Sequence, residues 1–234
     1  MALIKCPECE KEISDTVKKC PNCGYKLKNA VNKKAIIIII LVICILVICG
    51  IVGKITWDKH QAQLQAEKET QYNELLTETA GKTYVYGLVS QLYCYDIGQV
   101  WYNSIFKKWG NKYDKYVIND KTTAYRDWND FSTAINNYET INGEKMQKLK
   151  DTKEEIANNI KVLKDMPNTD YTDVYNEIVN LYGIFSKMVS FATSPTGTYK
   201  DYISSYNSNY KEFEESYNRL IILKPEIADY SENS

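Results

Sequence analysis

The sequence predicts a mainly α-helical protein in which one apolar helix separates a small N-terminal module from a large C-terminal helical domain. Three observations predict this: an uncharged run of 19 residues, two cysteine pairs before it, and apolar residues at three- and four-residue steps after it. The predicted segments are a module (1–28), a basic linker (29–34), the apolar helix (35–53), a helical stalk (54–80) and a helical domain (81–234).

The run at 35–53 reads AIIIIILVICILVICGIVG. A helix of that length spans about 28 Å, which matches the hydrocarbon core of a bilayer. Its isoleucines, valines and leucines favour membrane insertion by roughly 4 to 8 kcal/mol. We therefore predict a single-pass membrane protein with the lipid bilayer as one partner.

Three alternatives for this run are weaker. A cleaved secretory signal has a shorter apolar core, followed by a small-residue cleavage site. A lipoprotein signal needs a small residue before its cysteine, whereas Ile43 and Ile48 precede Cys44 and Cys49. A buried core helix rarely has 19 residues without a polar face.

Lysine placement predicts the orientation of the apolar helix. Within about twenty residues of the apolar run, six lysines lie on the N-terminal side, whereas Lys54, Lys59 and Lys68 lie on the other side. Cytoplasmic flanks carry the excess of Lys and Arg. The N-terminus is therefore predicted to be cytoplasmic and the C-terminal domain extracytoplasmic, at the cell membrane.

Four of the seven cysteines form two pairs, Cys-Pro-Glu-Cys and Cys-Pro-Asn-Cys-Gly, separated by ten residues. Four thiolates have the softness and number that tetrahedral zinc requires. Proline presets each turn, and Gly24 can take the positive φ that closes the second. The predicted metal ligands are Cys6, Cys9, Cys20 and Cys23.

The predicted zinc ion is structural, because four cysteines leave no coordination position for a catalytic water. A module this small cannot bury enough apolar area to fold alone, so zinc binding would supply its folding free energy. Ile13 and Val17 are expected to cover the site. The alternative is two disulfides, which suits an oxidising compartment but not the reducing, lysine-rich side of a membrane.

The apolar helix directly follows a segment with two Cys-Pro-x-Cys motifs and an Ile between them. The second motif is followed by Gly24, Tyr25 and basic residues. This arrangement resembles the short bacterial zinc ribbons at the N-termini of many single-pass membrane proteins, typically of Gram-positive bacteria. The resemblance covers residues 1–53 and implies a structural or interaction module with a freely varying domain beyond the membrane. Glu10 departs from the pattern, because such ribbons usually have glycine after the second cysteine.

The lysines of the module allow two interpretations. Zinc ribbons can bind nucleic acid through phosphate contacts. Lysines beside a membrane helix also set topology and contact anionic lipid heads. We favour lipid and topology, so nucleic acid is not the predicted partner. The lysines concerned are Lys5, Lys11, Lys18, Lys19, Lys26 and Lys28.

The segment 54–80 is polar and contains neither Gly nor Pro, which predicts the helical stalk. His60, the only histidine, lies in it without a cysteine or acidic cluster nearby, and we expect it at the surface. From Thr83 to Trp109 we predict one helix, bent or broken near Gly98. The short run Tyr84-Val85-Tyr86 is the one place where a strand competes.

Apolar stepping predicts two further helical segments up to Pro167. The first has its inner face between Ala124 and Tyr138, with Asn119 or Asp120 as its cap and Asn142-Gly143 as its end. The second continues the same stepping from Met146 to Leu163.

Two more helices complete the predicted antiparallel bundle of four or five helices. The first starts at Asp170, with an inner face from Val174 to Ala192. The second runs from a Thr198 cap to Pro225 and is apolar at alternating steps of four and three.

Nineteen of the twenty tyrosines lie beyond the apolar helix. An aromatic binding surface for glycan, wall polymer or protein is one interpretation. We favour a second interpretation, in which A/T-rich codons raise the tyrosine content and many of these side chains lie on inner helix faces. A binding patch would be sought at Tyr93, Tyr175, Tyr182 and Tyr202.

The sequence contains no H-E-x-x-H, G-x-S-x-G, phosphate-binding or calcium-binding motif, so no catalytic or cofactor-binding residue is predicted. We expect a non-catalytic membrane protein whose outer domain binds a protein or cell-envelope partner, a layout that also allows sensing or signalling. The alternatives are a membrane-tethered nucleic-acid-binding ribbon and an envelope enzyme with carboxylates brought together by the fold.

Overall fold

The computed structural model describes residues 3–27, 33–120, 127–166 and 168–232. It is mainly helical, which confirms the predicted fold class. The chain divides into two compact units, Met1–Leu64 and Gln65–Ser234.

The first unit begins with a small β-structure. Strands β1 (Leu3–Lys5) and β2 (Glu12–Ser14) pair antiparallel, with Ile4 opposite Ile13. A second, isolated antiparallel bridge joins Lys19 to Lys26. Each of these two hairpins therefore encloses one cysteine pair.

Helix α1 (Lys33–Phe106) contains the predicted apolar helix and stalk. Its apolar side chains between Ile36 and Val52 are all exposed, because none of the described residues packs around them. The most apolar stretch of α1 has no buried residue. Within the described residues, α1 is the one helix long and apolar enough to cross a membrane.

The predicted break near Gly98 is wrong, because α1 continues through Gly81, Gly87 and Gly98 to Phe106, and a bend there stays a prediction. These glycines serve close packing instead. A Cβ on Gly98 would lie 2.8 Å from Ile203 Cδ1, and a Cβ on Gly87 would overlap the Phe213 ring. The segment 84–86 is also helical, so the competing strand start is excluded.

A short segment between α1 and the next long helix contains helix α2 (Asp114–Val117) and strands β3 (Ile118–Asp120) and β4 (Asp127–Trp128). The sequence did not predict this antiparallel hairpin, whose strands are too short to show alternation. Ala124, placed on a helix face by the stepping, lies outside the described residues.

Helix α3 (Phe131–Asp165) is capped by Asp130, whose Oδ1 accepts a hydrogen bond of 2.7 Å from the Thr133 N–H. The caps predicted at Asn119 and Asp120 are therefore wrong, because both residues belong to β3. The predicted end at Asn142-Gly143 is also wrong. The helix continues through Gly143, which is exposed, because buried residues of α3 on both sides of it pack against the core.

Three helices complete the second unit: α4 (Thr172–Thr193), α5 (Tyr199–Leu223) and α6 (Glu226–Glu232). A 3-10 turn at Thr169–Tyr171 precedes α4, which therefore starts two residues after Asp170 and has no side-chain cap. The predicted inner face of α4 is buried throughout. The predicted Thr198 cap is present, because its hydroxyl accepts from the Asp201 N–H at 3.2 Å.

Two buried clusters form the core of the second unit. The larger joins α1, α3, α4 and α5 around Phe185 and Phe213, and the smaller joins α1, α2 and α3 around Tyr138 with Tyr202 of α5. Burial of α1 begins at Tyr72, within the segment predicted as stalk.

Candidate metal centre

The two cysteine pairs form two turns of the same backbone design. In the first, the Glu10 N–H donates to the Cys6 carbonyl at 2.9 Å; in the second, the Gly24 N–H donates to the Cys20 carbonyl at 2.9 Å. The N–H of Cys6 donates to the Lys11 carbonyl, and that of Cys20 to the carbonyl of Tyr25. Each turn thus presents two thiols to one side.

Glu10 and Gly24 occupy equivalent positions, with φ of 61° and 78°. Glycine adopts this left-handed conformation at little cost, whereas a residue with a Cβ does so less readily. Glu10, the departure from the ribbon pattern, therefore adopts the glycine conformation that its turn requires.

The four thiols meet in one cluster. The Sγ atoms of Cys6 and Cys23 are 3.6 Å apart, those of Cys9 and Cys20 are 3.7 Å apart, and all four lie within 4.8 Å of one another. Zinc–sulfur bonds of about 2.3 Å in a tetrahedron place neighbouring sulfurs about 3.8 Å apart. The predicted ligands Cys6, Cys9, Cys20 and Cys23 thus fit a structural Zn²⁺ ion with no further position for a reactant.

The backbone favours the thiolate that zinc needs at Cys20. The N–H groups of Cys23 and Asn22 stabilise the charged sulfur and lower the pKa of Cys20 to about 6, against the opposing effect of desolvation. These donors are backbone N–H groups, so no side chain in the sequence indicates them. The Cys-x-x-Cys spacing nevertheless predicts a turn whose N–H groups lie near the sulfurs.

Cys6 and Cys20 are buried together with Ile13, and Val17 and Leu27 pack against them. The predicted covering role of Ile13 and Val17 is therefore confirmed. This small cluster shields one side of the metal position, and Cys23 lies on its exposed side.

The tyrosines proposed as a binding patch differ in accessibility. Tyr202 is buried, and its hydroxyl donates to the Cys94 carbonyl at 3.2 Å, so its place in a surface patch is wrong. Tyr93, Tyr175 and Tyr182 are half-buried. His60 is exposed, as expected.

Two carboxylates of the second unit have several polar partners. Asp96 accepts from Tyr113 at 2.6 Å, Tyr138 at 3.4 Å and Lys112 at 3.1 Å. This network joins the loop and α2 segment to α1 and α3.

Glu177 links α4 to α5. Partial desolvation opposes its charge, but hydrogen bonds from Arg219, Ser216 and Asn180 lower the pKa of Glu177. Its Oε1 accepts from Asn180 at 3.0 Å, from Ser216 at 2.6 Å and from Arg219 at 3.0 Å, which is typical of a carboxylate that links two helices.

Comparison with known proteins agrees with the geometry at the N-terminus. Residues 5–27 match the zinc-ribbon domain family, so this segment is a zinc ribbon. The chain is also similar to an uncharacterised protein of Haemophilus influenzae, 52% identical over 29 residues. That match spans 12% of this chain and 38% of the relative. No solved structure matches the chain.

Proposed function

We propose that this chain is a non-catalytic single-pass protein of the cell membrane, with a cytoplasmic zinc ribbon and an extracytoplasmic helical domain that binds a protein or cell-envelope partner. The observation that carries the proposal is the exposed apolar segment of α1, which follows a closed four-thiol site in the chain. Exposed in water, that segment would drive association, whereas a bilayer solvates it.

The proposed orientation rests on charge and on thiol chemistry. The exposed side chains of Lys11, Lys18, Lys19 and Lys26 precede the membrane segment, and positive flanks stay in the cytoplasm. Zinc-binding thiolates also persist best where the compartment is reducing.

The proposal of a non-catalytic role rests on the environment of the polar groups. The zinc site has its four ligands from the protein, and the carboxylates of Asp96 and Glu177 accept hydrogen bonds from neighbouring side chains of the helical domain. Signalling to the ribbon is a role compatible with this layout, and it rests on the partner-binding proposal.

Cysteine labelling in intact cells tests the orientation. Cys94 is unsuitable as a probe because it is buried, with its thiol 3.5 Å from the Met188 carbonyl. A cysteine introduced by Lys68→Cys, in the exposed part of α1, is expected to react with an impermeant thiol reagent, while Ser14→Cys in the ribbon is expected to react only after lysis. The reverse pattern would contradict the orientation.

Complementation of a strain lacking the protein tests where the function lies. Deletion of residues 83–224 should abolish complementation, whereas charge-neutral replacement of Lys11, Lys18, Lys19 and Lys26 should preserve it. Lys33 and Lys34 remain in the second variant to hold the topology. Full activity after the deletion would exclude a role for the helical domain.

A membrane-tethered nucleic-acid binder is the rival function. The observation in its favour is that the Lys19–Lys26 bridge brings two exposed lysines side by side on the ribbon. Under this rival, the lysine variant loses complementation and the deletion retains it. A nucleic-acid filter-binding assay on the full chain at two salt concentrations would give the same distinction.

A further inference from the structure

A groove in the second unit combines apolar walls with cationic and hydroxyl groups. It has a volume of about 390 Å³ and lies between α1, α3 and α6. We call it the lysine–tyrosine groove. Its polar lining residues are Lys82, Tyr86, Tyr93, Lys145, Lys148 and Tyr230.

The apolar walls come from two helices. Val85 and Val89 of α1 are half-buried, and Leu149 of α3 is buried beneath them. Tyr230 closes one end, because the absence of a side chain at Gly81 lets its ring rest on α1. The groove is therefore a formed concavity that suits a ligand with an apolar or sugar-like part.

The three lysines are not equivalent. Lys82 is fixed between Glu78 and Glu155, so its charge is compensated. Lys145 and Lys148 are exposed, and neither forms an ion pair with any residue that the structure describes. They are three residues apart on α3, which places them on one face of the helix. The groove thus has two uncompensated positive charges.

Two tyrosine hydroxyls add hydrogen-bond donors. Tyr86 and Tyr93 are half-buried, yet their hydroxyls have no hydrogen-bond partner in the described part of the chain. Elsewhere the hydroxyls of Tyr113 and Tyr138 bind Asp96, and that of Tyr210 binds Glu214. The groove therefore presents tyrosine donors that the protein itself does not use.

We propose that the lysine–tyrosine groove binds a phosphodiester group. Two ammonium groups and two hydroxyls are donors without acceptors, and a phosphodiester offers two non-bridging oxygens that share one negative charge, together with a linked polyol or acyl part for the apolar walls. This inference rests on the proposed partner-binding function and names the chemistry of the partner. The phosphodiester belongs either to a phospholipid headgroup or to a phosphate-linked envelope polymer.

The test uses the full chain in nanodiscs of zwitterionic lipid, titrated with glycerophosphoglycerol as a soluble diester. The second arm measures co-sedimentation of the same nanodiscs with phosphatidylglycerol vesicles. The variant Lys145→Gln/Lys148→Gln removes both free charges. The matched control, Lys150→Gln/Lys161→Gln, removes the same charge from exposed positions of α3 outside the groove.

The groove variant is expected to weaken binding about tenfold or more, since it removes two charged hydrogen bonds, while the control changes it less than about twofold. Tyr86→Phe keeps the ring and removes one donor, and it should weaken binding about threefold to tenfold. Binding of vesicles identifies a headgroup, and binding of the soluble diester without vesicles shows that the groove takes a diester outside a bilayer, as in a polymer; either result supports the site.

Two results would overturn the proposal: a wild-type chain that binds neither probe, or an equal loss of binding in the groove and control variants. Neither result tests the proposed partner-binding function of the helical domain. If deletion of 83–224 abolishes complementation while the groove binds neither probe, the domain acts on some other partner. If the deletion complements fully, the proposed function fails instead.

Discussion

The ribbon and the helical unit of this chain hold their folds by different means. Apart from its sulfurs, the ribbon has a buried cluster of little more than Ile13, with Val17 and Leu27 packed against it. The helical unit encloses large buried side chains such as Tyr138, Phe185 and Phe213 in two continuous clusters. Below about 40 residues, an apolar core alone rarely overcomes chain entropy, so the ribbon depends on its metal and the helical unit does not.

Metal removal should separate the two regions most strongly. Because zinc supplies about 10 to 16 kcal/mol in ribbons of this kind, a strong chelator or Cys20→Ser should unfold residues 3–27 and leave the helices intact. Hydrogen exchange of the ribbon amides reports the first effect, and tryptophan fluorescence from Trp101 and Trp128 reports the second. Parallel loss of both signals would contradict independent stabilisation.

Core truncation should produce the opposite pattern. Phe213 is fully buried against Gly87 and Tyr84, so Phe213→Ala should destabilise the helical unit by about 3 to 5 kcal/mol without loss of zinc. Thermal unfolding followed by circular dichroism measures the change. The exposed Phe106 is the control, for which replacement by Ala should cost less than about 1 kcal/mol.

Helix capping should have a smaller effect on the same unit. Thr198→Ala removes the side-chain acceptor of the Asp201 N–H and should cost about 1 kcal/mol. Asp170→Ala is the matched control, because its side chain caps no helix and α4 begins beyond it. Chemical denaturation midpoints of the two variants should therefore differ, with the lower midpoint for Thr198→Ala.

The smallest expected effect compares the two cysteine turns. Glu10→Gly relieves the left-handed strain of the first turn, partly offset by the greater entropy of glycine in the unfolded chain, and should stabilise the ribbon by about 1 kcal/mol or less. Gly24→Ala introduces the same strain into the second turn and should weaken zinc retention by a similar amount. Competition with a chromophoric chelator measures both, and weaker retention in Glu10→Gly would contradict the equivalence of the turns.

Local sequence determined the features whose physics is local. The Cys-x-x-Cys spacings fix two turns that direct their sulfurs to one side, and the uncharged run at 35–53 specifies an apolar helix without any tertiary contact. The inner faces of α4 and α5 also follow from spacing, because a helix of 3.6 residues per turn aligns those positions regardless of the partner.

Tertiary structure alone decided the features that depend on a neighbour. Glycine is a poor helix former, so Gly98 and Gly143 suggested breaks, yet helix packing against the core outweighs a propensity cost of about 1 kcal/mol at each. The groove of Lys145, Lys148, Tyr86 and Tyr93 depends on how α1, α3 and α6 pack together. Spacing within one helix does not reveal which polar groups remain without partners after that packing.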